Sequence, residues 1–132
     1  APAPAAKSTL QTATGSAKRN AVVAAARGYA AVNAQTDCTM LVTNSLRSAG
    51  VNFHGWPADY LQLGHTVSAA QAQPGDLIYY ASNGFGSSHI AVYTGNGMAI
   101  HGGWNGMGTS AFSAYLPSAS APVFISVDAY NN

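Results

Sequence analysis

The chain has 132 residues, 48% of them hydrophobic and only 7% charged, with a net charge of +1. A single domain of this size buries roughly two-thirds of its unfolded surface. No basic run is longer than Lys18-Arg19, which excludes a nucleic-acid surface, and no apolar run approaches a membrane span.

Residues 1–15 open with Ala1-Pro2-Ala3-Pro4-Ala5-Ala6 and read as a flexible Ala/Pro-rich tail ahead of one domain over 16–132. A start at alanine, with a polar and charge-poor surface, suggests a mature N-terminus after removal of a secretory leader. Secretion is therefore the expectation. Ser16 is placed to cap a helix over about Ala17–Arg27, closed by Gly28. A loop from Asn33 to Thr36 leads to a second helix, Cys38 to Ala49, with Asp37 as N-cap and Gly50 beyond its end. Trp56-Pro57 can open a short third helix through Leu63.

Strands follow. Asp76 to Tyr80 is a short apolar run after the Pro74-Gly75 turn. His89–Thr94 and Met98–His101 flank Gly95-Asn96-Gly97, a hairpin signal. Gly102 to Gly108, with four glycines, reads as a loop, and Val123–Val127 as a closing strand. Helices first and antiparallel strands after them is the α+β pattern.

The chemistry-bearing residues are few. Cys38 is the only cysteine, and it stands at a predicted helix N-terminus, where the helix dipole favours thiolate over thiol. The neighbouring Asp37 opposes that. His89 and His101 lie on paired strands, where the hairpin can bring them together on one face. A thiol with two imidazoles at long range outlines a nucleophile, a base and an orienting group. His54 and His65 lie in loop-rich surroundings and read as exposed or structural. The same Cys and His residues are a partial zinc set, but ligand spacings of two to four residues and a second cysteine are missing. No metal or cofactor is expected.

Tyr29…Asp37-Cys38-Thr39, Pro74-Gly75-Asp76-Leu77-Ile78-Tyr79-Tyr80, His89-Ile90-Ala91-Val92-Tyr93-Thr94-Gly95-Asn96-Gly97 and Ile100-His101 together resemble the NlpC/P60 cysteine peptidases. The resemblance runs from Tyr29 to Gly103. It implies a papain-like α+β fold with N-terminal helices packed on an antiparallel sheet. It also implies hydrolysis of peptidoglycan stem peptides at the γ-D-glutamyl to diamino-acid bond. By the same resemblance Cys38 is the nucleophile, His89 the base, His101 the orienter and Tyr29 an oxyanion donor. Asp37 and Thr39, with Ser88 as a weaker member, would recognise the L-alanine end of the peptide. The chain departs from the family pattern at three points. Val32-Asn33 stands for a glycine pair, Thr39 for a serine and Met40 for a glycine.

The expected protein is thus a monomeric, secreted, wall-associated hydrolase. Its partners are stem peptides, with no nucleic acid and no membrane insertion. The rivals are an amidase cutting between sugar and L-alanine, as in the related CHAP enzymes, a wall-binding protein without turnover, and a zinc-binding structural domain.

Overall fold

The computed structural model describes residues 3–131, with side chains from Gly15 onward. Helix α1 spans Ala3–Ala31 and α2 spans Cys38–Arg47. A 3-10 helix occupies Pro57–Leu63, with the proline in its first turn as expected. Six strands follow: β1 Gly64–Val67, β2 Leu77–Tyr80, β3 His89–Gly95, β4 Met98–Trp104, β5 Gly108–Ser113 and β6 Val123–Val127. They form one antiparallel sheet in the order β1-β6-β2-β3-β4-β5. The fold is α+β.

Strand alternation gives the sheet two apolar faces. One carries Leu77, Ile90, Val92, Ile100, Ile125 and Val127 against Val22, Leu41, Leu46 and Tyr60 from the helical layer. The other gathers Ile78, Tyr80, Ala91, Tyr93, Ala99, Ala114 and Phe124. Leu41, Val42 and Leu46 of α2 are fully buried, and each contributes about 1.5–3 kcal/mol. That burial holds the N-terminus of α2, and so Cys38, against β3 and β4. Helix α1 is tied to the sheet by Arg19, whose guanidinium meets the buried Asp76 carboxylate at 2.5 Å and the Ser126 hydroxyl at 3.1 Å.

Several boundaries differ from expectation. Residues 3–15, read as an extended tail, belong to α1. Alanine has the highest helix propensity, and Pro4 sits in the first turn, where a missing N–H costs nothing. Gly28 does not end the helix. Asn33 does, at φ 48°, with the Ala34 N–H returning to the Tyr29 carbonyl at 2.9 Å. Asn33 stands in the segment where the family has a glycine pair. It adopts the left-handed conformation as asparagine can, and its Oδ1 accepts from the Thr109 N–H. Strand β1 was not foreseen, and the expected loop over 102–108 is largely strand. Its glycines serve close approach: a Cβ on Gly102 would lie 2.6 Å from the Leu41 Cβ and 2.7 Å from the Asp37 carbonyl oxygen.

Candidate active site

Asp37 initiates α2 as expected. Its Oδ1 accepts from the Met40 N–H at 2.7 Å and from the Thr39 hydroxyl at 2.8 Å. Partial burial works against ionisation, but these two hydrogen bonds and the nearby His54 hold the carboxyl below its ordinary range. Cys38 follows as the first helical residue and is half-buried. Its sulfur lies against the start of β3, where the Ile90 N–H faces it, with the Cys38 and Thr39 N–H groups also contributing.

Burial is the strongest influence on that thiol and pushes its pKa up. The three N–H groups pull it down, and the Asp37 carboxylate pushes it up again. Desolvation therefore outweighs the helix terminus, and the resting group is the neutral thiol. The expected thiolate bias is not realised.

The histidines meet as the hairpin predicts. Val92 pairs with Ile100, so continuing the register sets His101 opposite Ala91 and makes His89 its diagonal neighbour on the same face. His89 Nε2 lies 3.0 Å from His101 Nδ1, and His101 Nε2 lies 3.0 Å from the Ser113 carbonyl oxygen. A carbonyl can only accept, so His101 carries its proton on Nε2 and offers a lone pair at Nδ1. His89 must then donate through its own Nε2–H, which leaves the His89 Nδ1 lone pair unprotonated. The Ser113 carbonyl thereby sets both tautomers.

Tyr80 and Trp104 enclose the pair, with ring centroids 5.4 Å from His89 and 4.9 Å from His101 respectively. Burial first, and then the neighbouring imidazole, lowers His89 to about 3. Burial lowers His101 to about 4, against the pull of hydrogen bonds to Ser113 and Phe112. Both rings are neutral at pH 7.

Strand β4 closes the site from a third side. The Gly103 N–H donates to the Thr36 carbonyl at 2.8 Å. Gly103 has φ 63°, and a Cβ there would stand 3.2 Å from the Cys38 nitrogen. Only glycine keeps the Cys38 N–H open at this point.

Two cavities flank this centre. One, of about 370 Å³, is lined by His89, Gly103, Trp104 and Phe112 among others. The second, of about 400 Å³, is lined by Tyr29, Asp37, Met40 and Met107 among others. Tyr29 is half-buried in the last turns of α1 and lines the same cavity as Asp37, and its hydroxyl makes no hydrogen bond among the described residues. Ser88 is half-buried immediately before His89.

Tyr60 and Thr43 also belong to the site, and no local motif in the sequence marks them. The Tyr60 hydroxyl donates to the Thr39 carbonyl at 3.0 Å and meets the Thr43 hydroxyl at 2.6 Å, and Thr43 also meets His54 Nδ1 at 3.0 Å. This buried hydroxyl pair braces the first turn of α2 from behind. Among the described residues no three His, Cys, Asp or Glu side chains gather as metal ligands, and no helix is long and apolar enough to cross a membrane.

The NlpC/P60 family model matches residues 24–120. The chain belongs to the NlpC/P60 family. Over 64 residues, 48% of this chain, it is 33% identical to the peptidoglycan endopeptidase RipA of Mycobacterium tuberculosis. That match spans 13% of RipA, so this member corresponds to a small part of that relative. Among solved structures, the peptidoglycan hydrolase RipB of M. tuberculosis superposes with a TM-score of 0.70 at 20% identity, covering 88% of this chain and 68% of RipB. RipD of the same organism, described as a non-catalytic NlpC/P60 domain protein adapted to peptidoglycan binding, superposes with a TM-score of 0.66 at 18% identity. Its match covers 83% of this chain and 97% of RipD. These likenesses establish the NlpC/P60 fold.

Proposed function

We propose that this NlpC/P60 domain is a thiol hydrolase that acts outside the cell on peptidoglycan stem peptides, cutting on the carboxyl side of γ-linked D-glutamate. The observation that carries the reading is the proton order from the Ser113 carbonyl through His101 to His89, which leaves a lone pair on His89 Nδ1 next to the strand start that faces Cys38. His89 takes the thiol proton as Sγ attacks the scissile carbonyl carbon. The Cys38 N–H serves the oxyanion. Collapse breaks the C–N bond, the leaving amine takes the proton from His89, and a thioester remains on Cys38. Water, deprotonated by His89, hydrolyses the thioester and restores the thiol. His101 accepts from the Nε2–H of His89 throughout and stabilises the imidazolium while it lasts.

The names of RipA and RipB support the substrate class, and the Asp37 carboxylate supports recognition of the ammonium of a free L-alanine end. Tyr29, lining the cavity that Asp37 shares, is assigned to the acyl half of the peptide together with Thr39, and Ser88 to the approach to His89. Mass spectrometry of muropeptides incubated with the protein tests the reading. New fragments ending in D-glutamate, absent with Cys38→Ala, are expected. Release of sugar-free L-alanine peptides would assign the amidase reaction instead.

A second reading, binding without turnover, is favoured by the likeness to RipD. Unchanged muropeptide masses together with measurable binding would establish it.

A further inference from the structure

The cavity beside His89 is built without charge. No Asp, Glu, Lys or Arg occurs anywhere between Leu77 and Val127, and every residue lining the cavity falls in that span. Its walls are Phe85, Trp104, Phe112 and Leu116, and its polar side chains are the neutral amides of Asn83 and Asn105 and the His89 imidazole. Trp104 and Phe112 stack at 5.1 Å between centroids. At about 370 Å³ it is in the range of a ligand pocket. Gly103, one of its lining residues, also stands against α2, where a Cβ on it would lie 3.2 Å from the Cys38 nitrogen.

Position identifies which half of a substrate lies there. The leaving amine must reach the imidazole that protonates it, and His89 lines this cavity and not the one at Asp37. The acyl half therefore belongs on the Asp37 side and the leaving half on the aromatic side. A free ammonium or carboxylate on the leaving residue's side chain would lose water there and find no opposite charge.

Resting on the peptidase reading, we propose that the aromatic cavity is the subsite for the leaving residue and selects one whose side chain carries no net charge, such as a diamino acid acylated on its distal amine. An acylated amine offers an amide to Asn83 or Asn105 and a methylene stem to Trp104 and Phe112. A free distal amine offers a cation to neutral walls.

Two peptides that differ by one charge test this: L-Ala-γ-D-Glu-L-Lys and the same peptide with Nε-acetyl-lysine, each supplied to the full chain. The acetylated peptide should show a kcat/KM about tenfold higher or more. Phe112→Glu places an anion on the partly exposed wall and should reverse the preference. Equal rates, or preference of the unmodified protein for free lysine, would overturn the subsite. A second measurement holds without turnover. In Trp56→Phe, Trp104 is the sole tryptophan, and its fluorescence can be titrated with Nε-acetyl-lysinamide and with lysinamide. Tighter binding of the acetylated amide supports the proposal even if neither peptide is cut, an outcome that would defeat only the peptidase reading. Equal or tighter binding of lysinamide overturns it.

Discussion

Lowering the pH should destabilise this fold well before its carboxylates protonate. His89 and His101 are buried, with 7% and 0% exposure, and are held at about 3 and about 4. The unfolded chain binds a proton at each with an ordinary pKa of ~6.5. Below pH ~6.5 the unfolded state therefore carries more protons than the native one, and stability falls as pH falls. At pH 5.5 each imidazole withdraws about 1.4 kcal/mol, or about 2.8 kcal/mol together. That is a large part of the ~5–15 kcal/mol that holds an ordinary domain. Urea denaturation at pH 7.5 and 5.5 measures it directly. His101→Gln should remove about half of the difference, since its amide does not titrate. A midpoint unchanged between the two pH values, or His89 and His101 resonances titrating near 6.5 in the folded protein, would refute the neutral buried pair.

The resting thiol should alkylate slowly at pH 7, and the rate should rise only above the ordinary cysteine pKa of ~8.5. Fast, pH-independent modification of Cys38 from pH 6 upward would mean a preformed ion pair. His101→Asn should keep more turnover than His101→Ala, because the amide oxygen can still accept from His89 Nε2–H; equal loss in the two would move proton transfer onto His101 itself. Gly103→Ala should lower kcat on the order of 10²-fold with little change in KM, by crowding the Cys38 N–H where the oxyanion forms. Unchanged kcat would remove that N–H from the mechanism.

The parts of the site legible in the sequence were those with local signatures. Asp37 before a helical pattern is an N-cap whatever the fold, and Gly95-Asn96-Gly97 sets the hairpin that brings His89 beside His101. What stayed hidden depends on distant chain segments. Ser113 acts through its carbonyl, which every residue has, so no residue type could signal it. Tyr60 and Thr43 meet only because the segment after α2 folds back across it. Gly102 and Gly103 carry a glycine signal that suggests a loop but has another cause. Their glycines mark a strand pressed against the α2 terminus rather than a loop.

Asp37 next to the nucleophile looks like an error of design if the sulfur rests as a thiolate, since two anions would adjoin. The raised thiol and the lowered imidazoles remove that conflict. In the resting state neither a thiolate nor an imidazolium of the Cys38–His89–His101 group stands beside the carboxylate, so it caps α2 and receives the Thr39 hydroxyl with no anion against it. In the proposed mechanism charge develops at the sulfur only as His89 takes the proton, and the imidazolium then appears with it. The carboxylate thus works against the thiolate only during attack, when a bound substrate ammonium at Asp37 would already offset it. On the proposed mechanism, acyl transfer and recognition of an amino end are coupled by that arrangement: an empty Asp37 subsite leaves the anion free to oppose attack on any carbonyl lacking a nearby cation. A substrate blocked at its amino end should therefore lose in kcat as well as in KM.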